Sequence, residues 1–217
     1  MELFYHPLSR YSQKVLLSLY EKQVNFYPRV TDLRDPVTRG HFRALFPLAR
    51  LPMLKCLDGR LLPDASIIAE YLDHRFDSGT RLLPEDPDRN LEVRLYDRLI
   101  DQDLNAPLFQ LDKLRQPQAD KQDSLQIKSL EKSLKLALEA LDLRLAGQHW
   151  LCGDSLTLAD CAFIPCLSRC QDLLSLLELE HLARYWQQAQ LRGAWVLVQE
   201  EVDLAHMNEL NGLQTQI

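Results

Sequence analysis

"RLPMLKCLDGRLLPDASIIAEYLD", residues 50–73, is the stretch that decides the fold. Pro52 stands at the first residue of a strand candidate, where a missing N–H costs no ladder bond. Asp58-Gly59, between two apolar runs, is a hairpin turn signal. Asp64-Ala65-Ser66 lies where a helix should begin, with Ile67, Ile68, Tyr71 and Leu72 on one face. A cis Leu51-Pro52 bond would turn the chain and leave the Leu51 backbone N–H and C=O open to an extended peptide at the sheet edge. Composition does not fix the isomer, since only about 5–6% of X–Pro bonds are cis. The helix start offers unpaired N–H groups and a partial positive charge to a carboxylate. Asp64 could take an ammonium, and the pair would suit an α-amino-acid group. Asp64 or Ser66 capping its own helix is the plainer account of the same residues.

Upstream, "ELFYH" is a short strand that Pro7 ends. "YSQKVLLSLYEK" places Val15, Leu16, Leu19 and Tyr20 on one helical face. "VNFYPRV" is a second strand, and "PVTRGHFRALFP" a short irregular helix between prolines. The order is βαβαββα, which suits a mixed sheet with helices on its faces. Residues 77–88, "DSGTRLLPEDPD", read as a linker. Beyond it every periodic stretch is helical. "NLEVRLYDRLIDQDLNAPLF" is one long amphipathic segment, and "QPQADKQDS" breaks it. Leu130, Leu134, Leu138, Leu141 and Leu145 form a helix stripe. Gly147 ends that helix. Thr157 and Asp160 have capping-box spacing, with Leu156 and Cys161 at staple positions. Helical segments continue to about Leu204, and the tail "NELNGLQTQI" has little periodicity.

The 217 residues are 46% hydrophobic and 26% charged, enough for a sizeable core. A net charge of -6 argues against a nucleic-acid surface, which needs a basic patch. No apolar run approaches the ~20 residues of a membrane helix, and "MELFYHPL" lacks the pattern of a secretory signal. Five cysteines in no framework spacing suit reduced thiols and a cytoplasmic location.

"LPMLKCLDGRLLPDASIIAEYL" resembles the glutathione-binding segment of the cytosolic glutathione S-transferase family. Leu51-Pro52 matches the family's Val-cis-Pro, Asp58-Gly59 its turn, Asp64 its Glu and Ala65 its Ser. Ile68, Tyr71 and Leu72 match outright. "FPLAR" resembles the Asn-Pro-Leu-Gly-Lys upstream, with Phe46 in place of Asn. "WLCGDSLTLADCAFIP" is similar to the C-terminal capping motif. "YHPLSRYSQKVLLSLYEK" is similar to the first strand, loop and helix of bacterial, serine-type members with a theta- or zeta-like loop. The resemblance covers nearly the whole chain in order. It implies an α/β thioredoxin-like N-terminal domain (βαβαββα, mixed sheet) and an all-α C-terminal domain. Residues 1–76 would bind glutathione, 77–88 would link, and 89–217 would form the electrophile pocket.

The resemblance also implies roles. Arg50 would face the glycine carboxylate of glutathione, Leu51 would pair with its cysteine beside Pro52, and Asp64 and Ala65 would hold the γ-glutamyl end. Ala65 lacks the family serine's hydroxyl, a bond worth roughly 1.5–3 kcal/mol when the partner is charged. Ser66 is adjacent but turned about 100° around the helix. The thiol of glutathione titrates near ~8.5, so a transferase must stabilise the thiolate. A hydroxyl at a helix N-terminus does that. Aligned on Lys14-Val15, Ser9 takes the catalytic place, with Ser12 and Tyr5 as rivals and plain capping as the simpler role. Leu8, Tyr11 and Tyr96 would line the electrophile pocket. Asp97, Asp101 and Asp103 read as an exposed acid face.

Cys161, Cys166 and Cys170 share a helix and read as core packing rather than a metal site, and no metal or further cofactor is expected beyond glutathione as co-substrate. The expected function is a cytoplasmic, homodimeric glutathione transferase of detoxification type, or a peroxidase using the same thiolate, acting on a small hydrophobic electrophile. A partner in nucleic acid or membrane is not expected. The alternative is a non-catalytic regulatory protein of the stringent starvation protein type, favoured by Ala65 and Phe46. A zeta-type isomerase ranks below both, because Ser9-Arg10-Tyr11-Ser12-Gln13-Lys14 lacks its Ser-Ser-Cys-x-Trp-Arg loop.

Overall fold

The computed structural model describes residues 1–115, 124–171 and 178–210. The first seven elements are β1 (Glu2–Tyr5), α1 (Arg10–Glu21), β2 (Tyr27–Val30), α2 (Pro36–Leu45), β3 (Met53–Lys55), β4 (Leu61–Pro63) and α3 (Ala65–Arg75). This is the βαβαββα order expected from the sequence. The sheet runs β2-β1-β3-β4, with β1 and β2 parallel and the other pairs antiparallel. The parallel pair needs a crossover, and α1 supplies it. The hairpin turns at Asp58-Gly59, where Gly59 takes φ +83° and the Asp58 carboxylate accepts from the Arg60 N–H at 3.0 Å.

Local chemistry explains the helices. Leu3, Val15, Leu16, Leu19, Ile68 and Leu72 are sealed from solvent where α1 and α3 pack together on the sheet. Asp35 caps α2 by accepting from the Thr38 N–H at 2.7 Å, with Pro36 in the first helical position. The segment after α3 is tied down at its start. The Ser78 hydroxyl donates to the Lys22 carbonyl at 2.7 Å, and the Thr80 N–H donates to the Glu21 carbonyl at 2.8 Å. Gly79 between them has φ +65°, and a Cβ there would stand 2.1 Å from the Glu21 carbonyl oxygen. Only glycine fits.

The remaining helices are α4 (Pro87–Leu99), α5 (Ala106–Leu114), α6 (Ser124–Arg144), α7 (Leu158–Gln171), α8 (Glu180–Ala189) and α9 (Gly193–Leu210). The chain contacts divide into two compact units, Met1–Leu82 with Leu191–Ile217, and Leu83–Gln190. Thus α9 packs with the sheet-bearing unit, chiefly against α1. It also continues past Leu204, where helical periodicity fades. The break expected at 116–124 lies, up to Asp123, outside the described residues, as does the tail beyond Leu210.

The long helix expected before that break is helical throughout but not uniform. Ile100–Asn105 widens into a π-helical turn between α4 and α5. Pro107 lies two residues beyond it; it lacks an N–H and its ring crowds the carbonyl four residues back, which favours such an irregularity. The acid face is likewise not uniformly exposed. Asp97 is buried, in a helix packed on α7, while Asp103 is exposed. Cys161, Cys166 and Cys170 are wholly buried among α7's apolar residues. Burial, helped by the charge of Asp160, pushes the Cys152 thiol up to about 12.

Candidate functional site

Sheet register gathers the site. Phe4 of β1 lies opposite Met53 of β3, and Met53 lies opposite Pro63 of β4. The residues after β1, before β3 and after β4 therefore leave the sheet at one end. These are the His6–Ser9 loop, the Leu51-Pro52 pair and the Asp64-Ala65 helix start. Five of the residues expected at the site are thereby brought together: Ser9, Leu51, Pro52, Asp64 and Ala65. The Leu51-Pro52 peptide is cis, with Pro52 buried, Leu51 half-buried and Arg50 exposed.

Asp64 caps α3. Its Oδ1 accepts from the Ser66 N–H at 3.0 Å and the Ile67 N–H at 3.2 Å. Its backbone has φ +80°, a conformation that a residue with a Cβ rarely adopts and that costs of order 1–3 kcal/mol. The cap offsets part of that cost and holds an exposed carboxylate at the sheet edge. Ala65 is 4% exposed and presents no hydroxyl. The hydroxyl of the next residue, Ser66, meets a protein partner. Ser66 Oγ accepts from Lys14 Nζ at 2.7 Å. Lys14 is 1% exposed, so this bond places a buried ammonium between α1 and the start of α3.

The three hydroxyl candidates differ in their surroundings. Ser9 is the N-cap residue of α1 by backbone, since its carbonyl accepts from the Gln13 N–H at 2.9 Å. Its side chain makes no capping bond, and it is half-buried. Ser12 is sealed from solvent, and its Oγ accepts from the His6 N–H at 3.3 Å. The Tyr5 hydroxyl donates to Glu201 at 2.5 Å. Ser9 is therefore the one of the three whose side chain is neither buried nor capping. The first turn of α1 carries no acid, so nothing on the helix offsets its positive end.

The loop carrying Ser9 is closely held. The Ser9 N–H donates to the His6 carbonyl at 2.9 Å, and Gln13 Nε2 donates to the Pro7 carbonyl at 2.8 Å. The Leu8 N–H donates to His6 Nδ1 at 3.3 Å, which requires that nitrogen unprotonated. Burial, together with the Arg34 guanidinium nearby, holds His6 below its usual range and keeps it neutral. Leu8 and Tyr11 are half-buried on this loop and the turn after it. Tyr96 belongs to the other unit, where the Arg144 guanidinium stacks 4.6 Å from its ring centre.

Sequence reasoning passed over Lys14 and His6. Lys14 left a trace, as a lone charge running into the apolar Val15-Leu16-Leu17. Among the described residues no group of three or more His, Cys, Asp or Glu side chains converges as a metal site would require. No described helix is long and apolar enough to cross a membrane.

Comparison with known proteins bears on this geometry. The family model for the glutathione S-transferase N-terminal domain matches residues 3–81, and that for the C-terminal domain matches 105–189. A glutathione S-transferase-like protein of Fusarium is 32% identical over 140 residues, covering 64% of this chain and 62% of that protein. Glutathione S-transferase F11 of Arabidopsis thaliana is 29% identical over 204 residues, covering 87% of this chain and 92% of its own. Among solved structures, the glutathione S-transferase of Methylobacillus flagellatus with GSH bound superposes with a TM-score of 0.81. It is 27% identical, covering 91% of this chain and 98% of that one.

Proposed function

Because this chain belongs to the glutathione S-transferase family, we propose that it is a serine-type transferase in which Ser9 activates glutathione. The observation that carries this reading is the Ser9 side chain itself, which makes no capping bond at an acid-free helix start while Ser12 and Tyr5 are engaged elsewhere. Ser9 Oγ donates to the sulfur as its proton leaves, and the α1 N-terminus adds to the stabilisation of the anion. A preorganised donor of this kind contributes about 2.7–4 kcal/mol and a helix end about 0.3–1 kcal/mol. Together these are enough to bring a thiol near ~8.5 below neutrality.

Asp64 receives the γ-glutamyl ammonium, and the N-terminal peptide of α3 at Ala65 receives its carboxylate. The backbone of Leu51, beside Pro52, pairs with the cysteine, and Arg50 faces the glycine carboxylate. The thiolate then attacks a small hydrophobic electrophile held by Leu8 and Tyr11, forming a carbon–sulfur bond as the leaving group departs or the acceptor is protonated. The same thiolate would serve a peroxidase. No cysteine lies between Leu8 and Lys14, across the loop and the first turn of α1, which disfavours deglutathionylation. The family reading and the five buried thiols support a cytoplasmic homodimer with a detoxifying role.

Calorimetric titration with glutathione, alongside thiolate absorbance against pH, tests the reading. The wild type binds and lowers the thiol pKa, whereas Ser9→Ala binds and leaves the thiol near its solution value. Absence of binding by the wild type at millimolar glutathione overturns the enzyme reading. It would turn attention to the regulatory one, which Ala65 and Phe46 favour.

A further inference from the structure

A cavity lies within the sheet-bearing unit, bounded by β1, the β2 edge, α1 and α9. Its volume is about 370 Å³, within the roughly 300–1,000 Å³ typical of small-molecule sites. Of the residues assigned above to glutathione or the electrophile, none lines it. Three aromatic rings do: Tyr5, Tyr20 and Phe26. Phe26 stands 6.5 Å from Tyr5 at 78° and 6.1 Å from Tyr20 at 55°, so the rings form steeply angled walls rather than a stack. Glu201 of α9 completes the lining, accepting the hydroxyl of Tyr5 on one oxygen and that of Tyr20 on the other.

We propose that this cavity is a binding site for a small organic cation of the quaternary ammonium type. Aromatic faces and one carboxylate are what such a cation requires, and a quaternary centre loses little hydration on entering. Donating a hydroxyl to a carboxylate enriches the phenol ring in electrons and strengthens its attraction for a cation. Burial and the Glu201 charge raise both phenols well above their usual range, so they remain neutral donors. The carboxylate is met by two neutral hydroxyls. Arg192, just before α9, bonds Glu21, and Arg34 bonds Asp32 and Glu209. Pro28, Val30 and Leu204 supply apolar wall for the rest of the ligand. The competing account is that Glu201 only fastens α9 to α1 and β1.

Calorimetry on the full chain with choline, beside its uncharged isostere 3,3-dimethylbutan-1-ol, separates the two accounts without any variant. Choline binds, and the isostere binds roughly tenfold more weakly or worse. Glu201→Gln keeps an oxygen to accept one hydroxyl and an amide N–H that the other hydroxyl can accept; it removes the charge and weakens choline by a similar factor, leaving the glutathione titration unchanged. Phe26→Leu keeps the apolar volume, weakens choline several-fold and leaves the isostere alone. Equal binding of choline and isostere, no choline binding by protein that is folded by circular dichroism, or indifference to Glu201→Gln would each overturn the proposal. None of these outcomes bears on Ser9, so the two readings stand or fall separately.

Discussion

Asp64 and Asp160 both answer the free N–H groups of a helix start, in opposite surroundings. Asp160 is completely buried. Its Oδ2 accepts the Thr157 N–H at 2.8 Å, the carboxylate half of a capping box, and the Thr157 hydroxyl at 2.9 Å. Its Oδ1 accepts the Leu151 N–H and the Tyr185 hydroxyl, both at 3.0 Å. Four donors surround a carboxylate whose burial pushes its pKa up. Asp64 is exposed, caps through one oxygen, and sits on an uncommon backbone conformation. The first carboxylate is fully committed to holding a loop, a helix and a tyrosine together. The second keeps charge at a place a ligand can reach. Helix capping is thus common to both, and exposure is what separates a carboxylate committed to the fold from one that solvent reaches.

The largest expected effect that sharpens this contrast is Asp160→Ala. Removing the buried acceptor strands its donors and costs about 3 kcal/mol or more, read from the urea midpoint. Asp64→Ala should cost only about 1 kcal/mol of stability, the usual value of a cap. Its main effect would be on calorimetric glutathione affinity, weakened roughly tenfold or more by loss of a charged hydrogen bond. A similar stability loss in the two variants would break the contrast.

Asp64→Asn refines it. Asparagine caps as well as aspartate, so stability should hold within a few tenths of a kcal/mol while glutathione binding still falls. If binding survives, the carboxylate acts only as a cap. Ala65→Ser works in the opposite direction. It restores the hydroxyl at the first position of α3, and the glutathione dissociation constant should drop by roughly tenfold or more. No change would mean that the backbone alone receives the γ-glutamyl carboxylate.

The smallest effect concerns pH. His6 has a folded pKa below its unfolded value of about 6.5. The unfolded chain therefore binds the proton first, and stability falls as pH drops below about 6.5. Protonation would also remove the Nδ1 acceptor of the Leu8 N–H, loosening the Ser9 loop. Stability curves measured between neutral and mildly acidic pH should flatten in His6→Asn, whose amide oxygen can accept the same N–H.

The sequence by itself determined the features that arise between near neighbours. These are the βαβαββα order, the Asp58-Gly59 turn, the Asp64 cap and the Thr157/Asp160 box. Each depends on bonds or periodicities spanning a few residues, so residue type and spacing suffice. It did not show that Asp160 would also anchor Leu151 and Tyr185, nor that Pro107 would follow a π-helical turn. Residue type and spacing alone did not distinguish the surroundings of Ser9, Ser12 and Tyr5, three hydroxyls close in sequence; only the family resemblance had put Ser9 first. Tertiary structure separated them, by burying Ser12 and setting Tyr5 against a glutamate 196 residues away. It likewise brought Ser66 against Lys14, 52 residues upstream, a partner that no local pattern announced. A side chain's partner across such separations is chosen by how sheet and helices pack, and no local pattern encodes that choice.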